Sequence, residues 1–136
     1  KLLVVDPCLT AAPVTGIVAV SLKEALTEAD IVTLHSSGED CIIGEDEISI
    51  MKPGVFILNV ARGGLISEDA MVKALESGKV AGAWLDTFKE EPYSGPLCRF
   101  SNVVLTPHVG SYTLECRKQM EMDAVDNLLN SLLEIN

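Results

Sequence analysis

The sequence predicts an α/β fold built on a parallel sheet, and three observations carry that expectation. Short apolar runs alternate with segments of helical periodicity along the 136 residues. The runs are rich in Val, Ile and Leu and are bounded by turn or cap residues, as strands buried on both faces are. Aromatic residues make up only 4% of a chain that is 48% hydrophobic, so the core has to be aliphatic.

The elements can be justified in order. Residues 2–5 form the first run and end at Asp6. Ser21-Leu22-Lys23-Glu24 is a capping box, in which hydroxyl and carboxylate satisfy each other's orphan amides. Leu22, Ala25, Leu26 and Ala29 then give one apolar helical stripe leading into the second run, Ile31–Leu34. A short helix is expected over 46–51, stopped by Pro53-Gly54, and a third run over 55–60. Ser67 starts the next helix, with Glu68 and Asp69 at its positive end and Gly78 closing it. The fourth and fifth runs are Val80–Leu85 and Val103–Leu105, separated by a loop containing Pro92, Gly95 and Pro96. The longest helix is expected over 112–133, where Val125, Leu128, Leu129, Leu132 and Leu133 make a wide apolar face.

Charge narrows the partners. With 20 acidic and 10 basic side chains the net charge is −10, which excludes a nucleic-acid partner because phosphate contact needs clustered Lys and Arg. No basic amphipathic face offers itself to an anionic membrane, and no apolar stretch approaches the ~20 residues that span one. The first run is too short for a signal peptide, and the chain opens inside it without Met, so an upstream segment is expected. Cys8, Cys41, Cys98 and Cys116 match no zinc or CxxC spacing; isolated thiols of this kind suit the reducing cytoplasm.

Chemistry-bearing residues gather at strand ends. Asn59-Val60-Ala61-Arg62-Gly63-Gly64 ends the third run, and an Arg there can fork onto a carboxylate, although from this motif alone a surface Arg beside a turn is the commoner case. Asp86 ends the fourth run, with Glu91 just beyond it, and His108 follows the fifth. An imidazole beside a carboxylate is an acid–base pair, and four polar groups on one sheet edge favour a site over scattered scaffold residues.

The stretch from Asn59 to Ile66, Glu76-Ser77-Gly78-Lys79-Val80-Ala81-Gly82-Ala83-Trp84-Leu85-Asp86, Phe88-Lys89-Glu90-Glu91-Pro92 and Thr106-Pro107-His108-Val109-Gly110 together resemble the D-isomer-specific 2-hydroxyacid dehydrogenases. That family includes the D-3-phosphoglycerate dehydrogenases. The resemblance runs from Asp6 to the last helix. It implies NAD as cofactor and a small 2-hydroxy or 2-keto acid as substrate. Arg62 would bind the acid, His108 would exchange the proton at the C2 oxygen, and Glu91 would pair with His108. Asp86 would hold the nicotinamide carboxamide, and Asp6 would accept the adenosine ribose hydroxyls. No Lys or Arg follows Asp6, which favours NAD over NADP. On spacing alone Asp6 also suits a turn before Pro7. His35 would be a cofactor-side residue rather than the proton donor. Ser36, Val60, Ala61 and Gly110 complete the implied cofactor contacts, and no metal is implied.

Two departures qualify the resemblance. The loop after His35, Ser36-Ser37-Gly38-Glu39-Asp40-Cys41, is a few residues shorter than the family's. The glycine-rich turn that seats a pyrophosphate is not among these residues. The expected architecture is therefore a partial doubly wound, Rossmann-type parallel sheet lacking its first strand. Residues 1–111 would form an incomplete NAD-binding domain and 112–136 its C-terminal helix. With the central strand of the order 3-2-1-4-5-6 missing, a gap is expected between 2–5 and 55–60, and the isolated chain is expected to be inactive. A homodimer is implied by the family. The competing reading is an NAD-sensing, non-catalytic module of the corepressor type.

Overall fold

The computed structural model describes residues 1–9 and 15–134. Six strands and four helices follow one another as β1 (Leu2–Val4), β2 (Ile17–Ala19), α1 (Leu22–Glu28), β3 (Ile31–Leu34), α2 (Glu45–Ile50), β4 (Val55–Asn59), α3 (Glu68–Glu76), β5 (Val80–Leu85), β6 (Val103–Leu105) and α4 (Leu114–Glu134). Tight 3₁₀ turns sit at Gly63–Leu65 and Pro96–Arg99.

Local chemistry explains the helix starts. Ser21 Oγ accepts from the Glu24 amide at 3.3 Å while Glu24 Oε2 accepts from the Ser21 amide at 2.9 Å, closing the capping box of α1. At α2 the cap residue is Gly44, so only the reciprocal half exists: the Glu47 carboxylate accepts from the Gly44 amide at 3.0 Å. Lys79 Nζ donates to the carbonyls of Ser49 (3.0 Å) and Met51, satisfying the far end of that helix. Ser67 caps α3, and Gly78, at φ +72°, makes the left-handed exit.

The principal sheet is parallel, in the order β3-β4-β5-β6. Its register sets Leu34, Asn59, Leu85 and Leu105 in one row across the sheet. One face is closed by the helical layer, with Leu26, Ile43, Ile48, Met51, Val55, Ile57, Leu65, Met71, Val80 and Leu85 all buried. The other face is open: Ile31, Phe56, Trp84 and Val104 are 40–63% exposed. Along α4, Val125, Leu128 and Leu129 are exposed as well, so the apolar face expected there is present but faces outward. The helix starts at Leu114, two residues later than the sequence suggests, and residues 135–136 of the expected terminal unit lie outside the described residues.

Two expectations about the sheet need correction. The strand at Ile17–Ala19 is missed by the sequence reading because its short run is flush against the Ser21 cap and is absorbed into the helix start. It pairs in parallel with β1 to form a separate two-stranded sheet. With β2 unrecognised, Ile31–Leu34 takes the place of the third strand, on the far side of residues 2–5, instead of the fourth. β3 lies directly against β4, Ile31 opposite Phe56, so the break falls between the β1–β2 pair and β3 rather than between residues 2–5 and 55–60.

Candidate active site

Four connections leave the principal sheet at the same edge and build the site. After β4, the buried Asn59 side chain holds the turn from both sides: its Nδ2 donates to the Arg62 carbonyl at 2.8 Å and its Oδ1 accepts from the Ala61 amide at 3.1 Å. That turn presents Arg62, whose Nη1 donates to the Ala61 carbonyl at 2.7 Å and whose remaining N–H groups are available to a ligand. Gly63 follows and packs flat against the backbone of Phe88 and Lys89. No side chain could occupy that contact, so the glycine sets the distance between the Arg62 turn and the loop carrying Glu91.

After β5, Asp86 is 1% exposed and fully engaged. Its Oδ1 accepts from the Thr106 hydroxyl at 2.5 Å and the Val109 amide at 2.9 Å, and its Oδ2 accepts from the Gly110 amide at 2.9 Å. Burial pushes this carboxyl up, but the three hydrogen bonds, helped by the nearby His108, outweigh it and hold the group below its ordinary value. Asp86 thereby folds the turn on which His108 stands. His108 adopts φ +55°, a left-handed conformation that costs a non-glycine residue about 1–3 kcal/mol and needs such a clamp.

Glu91 is positioned by the same economy of contacts. The Phe88 amide donates to its Oε1 at 3.0 Å, and His108 Nδ1 lies 3.2 Å from its Oε2. These two contacts, the amide first, draw the Glu91 carboxyl below its usual value. Phe88 stacks on Tyr93 with ring centroids 4.2 Å apart, bracing the intervening loop. With Nδ1 committed to Glu91, Nε2 is the ring nitrogen left to exchange a proton with a ligand.

Arg62, Glu91 and His108 line one cleft of about 560 Å³, together with Glu39, Gly63, Gly64, Thr87, Phe88 and Lys89. Glu39, Thr87 and Lys89 were not singled out from the sequence. Glu39 comes from the shortened loop after His35, and its Cα and carbonyl pack on Gly64, a contact that no spacing pattern reveals. Asp86 lies beneath the cleft rather than in its lining. His35 and Ser36 stand apart at the end of β3, where His35 Nε2 is 3.0 Å from Thr33 Oγ1 and Ser36 Oγ accepts from the Gly38 amide at 3.4 Å.

Asp6 is exposed at the end of β1; its Oδ1 accepts from the Cys8 amide at 2.8 Å, leaving Oδ2 for a ribose hydroxyl, and among the described residues no ion pair engages it. Val60 and Ala61 follow β4 and Gly110 follows the His108 turn; the Ala61 amide donates to Asn59 Oδ1 and the Gly110 amide to Asp86 Oδ2. Among the described residues no helix is long and apolar enough to cross a membrane.

Three carboxyls are depressed, Asp86 and Glu91 in the site and Glu24 in the α1 capping box, and the acid response follows from them. Each is more acidic in the folded chain than in the unfolded one, so each contributes stability that is complete above its unfolded value and is lost as pH falls through its folded value. The urea midpoint is expected to be level from neutrality down to about pH 5 and to fall below that. In Asp86→Asn the fall should be shallower. An equally steep fall in that variant would place the acid response elsewhere.

Comparison with known proteins supplies the context. Residues 1–110 match the sequence model of the D-isomer specific 2-hydroxyacid dehydrogenase, NAD binding domain. The chain is 43% identical over 114 residues to a glyoxylate reductase of Aeropyrum pernix, covering 80% of this chain and 34% of that protein. It is 38% identical to a D-3-phosphoglycerate dehydrogenase of Synechocystis, covering 98% of this chain and 25% of that one. Among solved structures, D-2-hydroxyisocaproate dehydrogenase superposes over the whole chain with a TM-score of 0.92 at 30% identity, using 47% of its own length. A glyoxylate reductase from Paecilomyes thermophila gives 0.80 at 42% identity, over 85% of this chain and 37% of that one. The chain thus spans about a third of the length of the first curated relatives it matches.

Proposed function

The chain belongs to the NAD-binding domain family of the D-isomer specific 2-hydroxyacid dehydrogenases, and from that premise we propose that it contributes the acid–base half of an oxidoreductase site acting on a small 2-hydroxy or 2-keto acid. The single observation that carries this reading is the convergence of Arg62, Glu91 and His108 on one cleft, with His108 3.2 Å from Glu91. NAD, when bound, supplies or accepts the hydride at C2 of the acid.

The chain's own residues do the rest. Arg62 forks onto the carboxylate of the acid and turns its C2 oxygen toward His108. The Glu91 carboxylate holds His108 Nδ1 and fixes the ring, so Nε2 can give a proton to the oxygen of a keto acid during reduction and take it back during oxidation. Gly63 and Asn59 keep the Arg62 turn and the Glu91 loop at a fixed separation, which is positioning rather than new chemistry. For Asp86 we favour the role of clamp to the His108 turn, since its oxygens already accept from Thr106, Val109 and Gly110. Any contact with the carboxamide would use a lone pair left over. The family's homodimer and a cytoplasmic location complete the proposal; the four free cysteines suit the latter.

We infer further that the 136 residues alone do not turn over. No glycine-rich pyrophosphate turn is written in their sequence, and β1–β2 and β3–β6 form two separate sheets among the described residues. The test replaces the matching third of the Aeropyrum pernix relative with this chain and follows NADH oxidation by glyoxylate. Turnover is expected in the hybrid and not in the chain alone. His108→Ala should lower kcat about 10²- to 10⁴-fold, the usual worth of a general acid. An unimpaired His108→Ala hybrid would remove the assigned role, and cofactor-dependent assembly without turnover would favour the corepressor-like reading.

A further inference from the structure

The indole of Trp84 does something the site described above does not use. Trp84 is the chain's single tryptophan and sits on the open face of β5, opposite Val104 in the register. Its ring is 40% exposed, so packing alone does not account for its placement. Its Nε1 donates to Thr106 Oγ1 at 3.0 Å, and the same Thr106 hydroxyl donates to Asp86 Oδ1 at 2.5 Å. Indole N–H can only donate, so the direction of this relay is fixed from Trp84 through Thr106 to Asp86.

We propose that Trp84 is a positioning residue for His108, acting through Thr106 and Asp86. The proposal rests on the reading of His108 as the proton-exchanging group and deepens it. A threonine hydroxyl has one hydrogen and a free rotor. Once a lone pair is taken by the indole N–H, the hydrogen is directed to Asp86. A hydroxyl that donates while accepting is also polarised, which strengthens the bond it gives. Asp86 then has a fixed partner on Oδ1 and orients its two oxygens toward the Val109 and Gly110 amides. Those two bonds hold the backbone just after His108, whose own amide donates to the Thr106 carbonyl at 3.0 Å. His108 is therefore gripped from both sides by groups that converge on Thr106. It is the sole non-glycine position among the described residues with positive φ, so it is the position with most to gain from relaxing. Loss of the indole donor frees the Thr106 rotor, loosens Asp86 and lets the His108 ring drift from Glu91.

The test uses the 136-residue chain and needs neither NAD nor substrate, so it decides the relay whether or not the oxidoreductase reading stands. Amide exchange is followed residue by residue, together with the ring ¹⁵N signals of the two histidines, assigned with His35→Gln. In Trp84→Phe, exchange at Val109 and Gly110 is expected to rise about fivefold, the value of one net hydrogen bond, while amides of β4 and β5 stay at their wild-type rates. The His108 ring signals should shift toward an unpaired, tautomer-averaged imidazole, while those of His35 hold. Thr106→Val should reproduce both changes and Thr106→Ser, which keeps the hydroxyl, should reverse them; this pair carries the test if Trp84→Phe does not fold. Wild-type exchange at Val109 and Gly110 in Trp84→Phe overturns the proposal. So does acceleration spread evenly through β4 and β5, or a Thr106→Ser variant that behaves like Thr106→Val.

Discussion

Replacing Asp86 by Ala is expected to release the 106–110 turn and to cost about 3 kcal/mol of stability. The carboxylate is buried and accepts three hydrogen bonds, two from backbone amides that belong to a single turn. A buried donor left without its acceptor costs about 1–3 kcal/mol, and bonds to a charged acceptor lie at the upper end. Water can reach part of the turn, so the three do not add in full. The functional loss should exceed the stability loss, because His108 at φ +55° then has no clamp and returns to the ordinary side of the Ramachandran map. Equilibrium unfolding in urea and amide exchange at Val109 and Gly110 check the two parts. A change below about 1 kcal/mol with unaltered exchange would show that the turn holds itself. Asp86→Asn should fall between, since its amide keeps one acceptor but turns two N–H donors toward a region already full of donors.

Gly63→Ala is the second large effect, and its origin is space rather than dihedral freedom. A Cβ at Gly63 would stand 2.1 Å from the Phe88 carbonyl carbon and 2.5 Å from both Phe88 Cα and the Lys89 nitrogen. All three are backbone atoms, so no side chain can swing away. Accommodating the methyl has to push the Arg62 turn away from the loop bearing Glu91, at a cost of about 3 kcal/mol or more. Arg62 and Glu91 would both be misplaced by that one carbon. Gly54→Ala is the control: its φ of +81° strains any other residue, yet a Cβ there meets nothing within 4 Å. It should cost about 1–2 kcal/mol, leaving the cleft intact. Urea midpoints of the two variants, compared with the amide pattern of residues 86–91, separate crowding from strain. A Gly63→Ala chain as stable as Gly54→Ala would show that the two loops can separate cheaply.

Much of this was legible in the sequence because the signals are local. The Ser21/Glu24 box, the Ser67 cap and the Gly78 exit are short-range hydrogen-bonding and dihedral requirements, and each helix begins or ends where they place it. The gathering of Arg62, Glu91 and His108 follows from strand ends sharing one edge of a parallel sheet. What the sequence hid depends on long-range registration. β2 has three residues and no turn of its own before Ser21, and missing it displaced the sheet break by one position. The sequence places Asp86 at a strand end but does not show that its two oxygens accept from Thr106, Val109 and Gly110. The Trp84–Thr106 bond joins β5 to the residue just after β6, and Glu39 reaches the cleft only because Gly64 lets its backbone approach. None of these has a period or spacing to betray it.

The row formed by Asn59, Leu85 and Leu105 has a consequence for how such a site survives change. It acts as a common finishing line. Each strand crosses it at the same level, and the residues beyond it build one site: Arg62, Glu91 and His108 line the cleft, and Asp86 and Thr106 hold the His108 turn. The helices and the connections at the opposite edge are merely the route back to the starting side, so their lengths can drift without moving the site. A single residue gained or lost inside a strand is different in kind, because it carries one contributor past the line and turns every side chain on that strand to the opposite face.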